Sequence, residues 1–347
     1  MSLRSPTTLA AALALAGGLA AAGPASAQQS VQWELSVWGP PRAYTKSVET
    51  LASEVERKSD GKFKIRIHYG EAISPAKENL DGVKTGAFGA PPMPPSYHPG
   101  KNPAPPGPDL PFLPLKDMDA VYRTQDAYLH HPVVVAEMKR WNAVPFMATP
   151  LPQYEFMGVG NPPRTLEDWK GMRVRALGGL GDAMREIGAV PTTVPAPEVY
   201  TALERGTINA ASAGFTYMHA AYRLHEISKW YTDGLAPGTI GCIVIVNRDA
   251  YERLPAEYRT MLDEARPVAY EKMRDAYLEA DAKNVPLFQQ MGMERITYTP
   301  EQRAQFEERA AKPVWDKWVA EMNSKKLPGQ ELLDFILAEA RKASSGS

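Results

Sequence analysis

Apolar residues recur along this chain first at every second position and then at every third or fourth. Gln32 to Trp38 (QWELSVW) alternates Trp33, Leu35 and Val37 with polar neighbours, which predicts a strand ended by Gly39-Pro40-Pro41. Thr45 to Lys58 places Val48, Leu51, Ala52 and Val55 on one helical face. After the turn Ser59-Asp60-Gly61, Phe63 to Tyr69 alternates again as a second strand, and Asn79 to Thr85 reads as a short helix closed by Gly86. Residues 117–142 read as helix and Val144 to Ala148 as strand, and Pro150-Leu151-Pro152 is a crossing between domains. The second half repeats the rhythm. Met172 to Ala176, Thr192 to Val194, Ile208 to Ser212 and the apolar run Ile240 to Val246 read as strands. Gly178-Gly179-Leu180-Gly181 is expected to lead as a turn into a helix through Ile187, and a further helix runs from Pro197 to Glu204. A long helix is expected from Pro255 to Asp281, kinked at Pro267. Thr299-Pro300-Glu301-Gln302 is a capping box that opens a final helical region, and Ser344 to Ser347 reads as a frayed tail. Alternating strands and helices predict an α/β protein with parallel sheets.

Two segments depart from this rhythm. Residues 91–114 carry 11 prolines in 24 positions, which excludes a central strand, because each proline removes a ladder donor. Loop or sheet-edge structure is expected there. At the other extreme, Leu9 to Ala22 is an uncharged Ala/Leu-rich run after Arg4, followed by Ala25-Ser26-Ala27. That order of charge, apolar core and small residues reads as an export signal spanning residues 1–27 and cleaved after Ala27. The run of 14 residues is short for a membrane span, which needs about 20.

Composition narrows the function. The chain has 347 residues, 39 Lys+Arg, 40 Asp+Glu and a formal charge of -1, which gives no electrostatic reason to bind nucleic acid. The length suggests two domains with a cleft between them. A single cysteine, Cys242, excludes an internal disulfide and a cysteine zinc site, and lies too far downstream to carry a lipid anchor. No Gly-x-Ser-x-Gly elbow, dinucleotide fingerprint or Walker-type loop occurs, and Gly178-Gly179-Leu180-Gly181 lacks the Lys-Ser/Thr of a phosphate loop. His130 and His131 are adjacent, and His219 and His225 are six apart, so no pair shares a helix face. These readings favour a non-enzyme with no cofactor and no metal.

Residues 165–210 (TLEDWKGMRVRALGGLGDAMREIGAVPTTVPAPEVYTALERGTINA) carry three motifs in order. Asp168, Lys170, Gly171, Arg173 and Arg175 form the first, and Gly188, Ala189 and Pro191 the second. Glu198, Val199, Tyr200, Ala202, Leu203 and Gly206 form the third. Asp109 to Leu113 (DLPFL) and Asn247 with Leu254-Pro255 add to them. In combination they closely resemble the periplasmic substrate-binding proteins of TRAP (tripartite ATP-independent periplasmic) transporters, the DctP family. The resemblance runs over essentially the whole chain after the signal.

It implies a periplasmic binding protein fold: two discontinuous α/β domains around a ligand cleft, with a long spanning helix. The first domain would hold 30–151 and 241–280, the second 152–240 and 281–343. The implied function is to capture a small organic acid and deliver it to integral-membrane permease subunits, without membrane insertion of its own. A periplasmic sensor presenting a carboxylate to a signalling receptor is the alternative. Arg175 matches the family arginine that pairs with the ligand carboxylate, a role suited to a planar, permanently charged guanidinium. Trp38, Ser96 and Tyr97 fall near the family's cleft loops, Gln153 and Glu155 just beyond the crossing near positions that contact ligand in relatives, and Phe215 after the third motif. Departures from the pattern are informative too. Ser212, or a neighbouring alanine, stands where the α-keto-acid subgroup has the acidic residue that holds a cation. The amide of the sialic-acid subgroup is missing at about Ala213. Small residues there favour a carboxylate with an apolar or aromatic body. Ligand binding is therefore expected to survive excess chelator. Calorimetry showing strict dependence on calcium or sodium would contradict this reading.

Overall fold

The computed structural model describes residues 29–98 and 100–345, so the expected export signal and its cleavage site lie outside the described residues. The strands are β1 (Val31–Ser36), β2 (Phe63–His68), β3 (Pro92–Met93), β4 (Ala143–Ala148), β5 (Tyr154–Gly158), β6 (Arg173–Arg175), β7 (Val190–Thr192), β8 (Ala210–Gly214), β9 (Trp230–Asp233), β10 (Ile243–Asn247) and β11 (Glu294–Thr297). The helices are α1 (Lys46–Lys58), α2 (Asn79–Thr85), α3 (Met118–Leu129), α4 (Pro132–Lys139), α5 (Gly178–Glu186), α6 (Val199–Glu204), α7 (Tyr217–Ala221), α8 (Arg248–Glu252), α9 (Ala256–Gln290), α10 (Pro300–Ser324) and α11 (Gly329–Ser345).

Local chemistry explains several boundaries. Gly86 adopts φ 72° at the end of α2, a left-handed cap that glycine takes without a Cβ penalty. Thr299 Oγ1 accepts from the Gln302 amide, and Gln302 Oε1 accepts from the Thr299 amide, completing the expected capping box of α10. The helix expected over 117–142 is instead two. α3 stops at Leu129, and Pro132 opens α4 at its first position, because proline cannot continue the hydrogen bonding of the preceding turn. α9 continues unbroken through Pro267 and on through Pro286. Ser344 and Ser345, expected to fray, belong to α11, and Ser344 Oγ donates to the Pro114 carbonyl.

The strands form two lobes. In the first, β1 and β2 pair in parallel, and β3, β10 and β4 form an antiparallel sheet bridged to β1 through Leu35 and Ala90. The proline-rich segment enters this sheet only as the two-residue edge strand β3. The second lobe is one six-stranded sheet in the order β11-β9-β5-β8-β6-β7. Its pairs β6–β7, β6–β8 and β9–β11 are parallel, whereas β5 runs antiparallel to β8 and β9. The expectation of purely parallel sheets therefore fails at β5 and β10. Both strands follow a crossing from the other lobe rather than a helical crossover, and only the crossover enforces parallel pairing.

The chain crosses between β4 and β5 and again between β9 and β10, so each lobe is discontinuous. α9, 35 residues and so about 50 Å long, spans both. Tyr258, Leu262 and Ala265 near its start pack with Val48 and Leu51 of α1 in the first-lobe core, and Phe288 near its end packs in the second. The C-terminal helices divide between the lobes. α10 lies along α5, but Leu332 and Ile336 of α11 pack on Tyr128 of α3. The expectation that 281–343 belongs wholly to the second domain is corrected at this helix, whose apolar stripe finds its partner in the first lobe. Truncating Leu262, fully buried under α1, should cost about 2–5 kcal/mol. Urea denaturation showing a loss below about 1 kcal/mol would contradict this placement.

Candidate functional site

Arg175 is the last residue of β6, at the carboxyl end of a strand flanked by parallel neighbours, where open α/β sheets present ligands. Its side chain is 1% exposed. Nε donates to the Val194 carbonyl (2.9 Å) and Nη1 to the Ser212 carbonyl (2.6 Å), so two backbone dipoles hold the guanidinium in place. The residue lines a cavity between the lobes. Arg173, two residues earlier, is exposed and donates to the Gly206 carbonyl.

The first lobe contributes Trp38, Arg42, Tyr97 and Cys242 to this cavity, and the second contributes Tyr154, Arg175, Tyr217 and Tyr222. None of its lining residues carries a carboxylate. The Ala196 amide of the second lobe donates to Tyr97 Oη (2.8 Å), a direct hydrogen bond across the cleft. Burial pushes the phenols of Tyr97, Tyr154 and Tyr217 up, so these side chains stay neutral. About 10 Å³ is left for the centre of a water molecule, room for about one water. The cavity is thus closed, cationic and walled by aromatic rings.

Of the residues singled out from sequence, Arg175, Trp38 and Tyr97 line this one cavity. Ser212 is not in its lining, and its carbonyl instead accepts from Arg175 Nη1. The others stand elsewhere. Ser96 Oγ donates to Asp109 beside Gly178. Gln153 lines a separate groove with Phe112, Leu115 and Pro237. Both oxygens of Glu155 are taken: Oε2 accepts from Thr232 Oγ1, and Oε1 from the amides of Gly234 and Ala236, which pins the loop after β9. Phe215 packs against Tyr231 with ring centroids 6.1 Å apart. The residue between Gln153 and Glu155, Tyr154, is the one that reaches the cavity, because neighbours on a strand point to opposite sides.

Arg42, Tyr154 and Tyr222 were not among the sequence candidates. Arg42 follows Gly39-Pro40-Pro41 and stands between Trp38 and Tyr44, a cation among aromatic residues, and that was the available signal. Its guanidinium lies over the rings of Trp38 (5.2 Å), Tyr44 (5.2 Å) and Tyr222 (5.6 Å), and Nη1 donates to the Trp38 and Pro40 carbonyls.

Two α/β lobes thus meet over a buried cavity that carries two arginines and no carboxylate among its lining residues. The family model described as bacterial extracellular solute-binding protein, family 7 (DctP) matches residues 36–322, and the chain belongs to that family. It is a TRAP-type solute-binding protein, and its family is one of periplasmic receptors rather than enzymes. A monocarboxylate 2-oxoacid-binding periplasmic protein of Nostoc sp. is 26% identical over 311 residues, covering 84% of each chain. Among solved structures, a TRAP solute-binding protein of Rhodoferax ferrireducens in complex with copurified benzoate is 19% identical. It superposes with a TM-score of 0.83 over 91% of this chain and 99% of its own. One of Desulfovibrio salexigens with bound orotic acid is 18% identical, with a TM-score of 0.81 over 90% and 100%. No helix among the described residues is long and apolar enough to cross a membrane.

Asp109, beside the site, ties the lobes together. Its Oδ1 accepts from the Gly241 amide (2.6 Å), and its main chain and side chain lie against Gly178 and Gly179 of α5. Burial pushes its carboxyl up to about 7, against the hydrogen bonds from Ser96 and Gly241. A carboxyl raised above its ordinary value favours the fold when protonated, so its contribution is complete below about pH 4 and lost as the pH rises through about 7. Asp109→Asn should therefore gain stability relative to the wild type as the pH rises from about 4 to about 7.5. A stability difference constant across that window, measured by urea denaturation, would contradict the placement.

Proposed function

We propose that the protein captures a small organic acid in the periplasm, with the ligand carboxylate on Arg175, and delivers it to the membrane permease of a TRAP transporter. The observation that carries this reading is the guanidinium of Arg175, buried, held by two carbonyls and lining a cavity with no acidic wall. A desolvated cation of this kind is stabilised by a bound anion, and the planar guanidinium matches a carboxylate. The rings of Trp38, Tyr97, Tyr154 and Tyr217 favour a flat, apolar or aromatic body on that acid. The benzoate of the Rhodoferax protein and the orotic acid of the Desulfovibrio protein have that shape, and the 2-oxoacid binding of the Nostoc relative keeps smaller acids in view.

Capture requires motion. A space for about one water does not admit an aromatic acid, so the lobes must part at the crossings between β4 and β5 and between β9 and β10, then close on the ligand. The export signal read over residues 1–27 supports delivery to the periplasm.

A panel of organic acids tested by thermal shift should contain stabilisers, and an acid at ~100 times its Kd adds about 2.7 kcal/mol. Arg175→Ala should weaken binding of the best of them by about 2–5 kcal/mol. Arg175→Lys, which keeps the charge without the fork, should recover only part of that loss. Unchanged affinity of Arg175→Ala in calorimetry would refute the assignment.

A further inference from the structure

A second buried polar pair stands in the same cavity and comes from both lobes. Arg42 Nε is closed off from solvent and has no hydrogen-bond partner, although Nη1 of the same side chain is doubly occupied by carbonyls. The hydroxyl of Tyr222 is likewise closed off and unpartnered. Both residues line the cavity, and the Arg42 guanidinium lies 5.6 Å from the centre of the Tyr222 ring. Tyr222 is also seated on the first-lobe loop, since its hydroxyl occupies the space that a Cβ at Gly39 would need. Closure of the lobes therefore creates this pair, and neither residue presents it alone.

Two buried polar atoms left without partners at one place are costly, because each has lost its water and gained nothing in return. A cavity that brings them together beside a ligand-binding cation has a polar demand at that place as well. Nε can only donate, and a phenol can donate or accept, so the group that satisfies both is an oxygen with acceptor lone pairs. Tyr222 remains protonated, because burial pushes its phenol up to about 12. Tyr97, Tyr222 and Cys242, which line the same cavity, lie close enough to both Arg42 and Arg175 to feel their charges.

We infer that Arg42 and Tyr222 form a second polar subsite, and that the cognate ligand is an acid bearing a second acceptor oxygen (hydroxyl, oxo or carboxylate) besides the carboxylate on Arg175. This rests on the reading of Arg175 given above. Arg42 and Tyr222 then set specificity within that class, and because they come from opposite lobes, an acid with two such groups also favours the closed form over the open one.

Matched acids that differ only in the second group test this by calorimetry: benzoate against 3-hydroxybenzoate and isophthalate, and butyrate against succinate. In at least one set the acid with the second oxygen should bind at least tenfold tighter than its partner. Arg42→Gln should reduce that ratio by at least tenfold, and Tyr222→Phe, which removes one oxygen and keeps the ring, by at least threefold. Arg175→Lys should weaken both members of a set together. If binding depends on Arg175 but both Arg42→Gln and Tyr222→Phe leave the ratio intact, the second subsite is refuted and the carboxylate site stands. If none of these acids binds the wild type, both the carboxylate reading and the subsite built on it are overturned.

Discussion

The arrangement depends on one buried cation. Arg175 is removed from water at the end of β6, with no carboxylate in the walls around it. Isolated burial of a guanidinium would be prohibitive. Here the carbonyls of Val194 and Ser212 supply oriented dipoles, and neither neutralises the charge. The site therefore keeps a net positive potential inside a low-dielectric cavity, where it acts strongly on an anion. An acidic wall residue would have satisfied the arginine and removed its use.

The rest of the architecture positions what surrounds that charge. Two crossings divide the chain into lobes, and α9 runs along both, with Leu262 in one core and Phe288 in the other. That helix is anchored in both cores and so ties the two lobes together. The cleft is bridged by a polar contact as well as by packing, Ala196 to Tyr97 across the cavity, and beside it Gly241 to Asp109 holds the first-lobe side. The proline-rich segment is part of that second contact. It contributes Ser96, Tyr97 and Asp109, and its conformation is largely predetermined by rings that fix φ. Its ordering therefore costs less entropy than that of an ordinary loop of similar length.

Much of this was legible in the sequence. The alternation in Gln32–Trp38, the helix ended by Gly86 and the capping box at Thr299 act over a few residues, and each appears where the pattern placed it. Arg175 was legible because the surrounding motifs fix its register on a strand. The other half of the cavity was not. Gln153 and Glu155 lay one residue to either side of the side chain that enters, since a shift of one position turns a strand residue to the opposite face. Tyr222 belongs to no motif and reaches the site only because the end of α7 docks on the loop at Gly39.

By itself the sequence determined the α/β class and many of the elements, because these follow from periodicity and turn chemistry, and local motif spacing singled out Arg175. Only the tertiary structure decided which strands run antiparallel, that α11 returns to the first lobe, and which aromatic residues meet Arg175. It also decided that Glu155 is tied up in a loop while Arg42, from the far side of the cleft, completes the cavity. Those outcomes are contacts between residues far apart along the chain, such as the 77 positions between Glu155 and Thr232. They are selected by which faces can be buried together, and no short stretch of the chain contains that information.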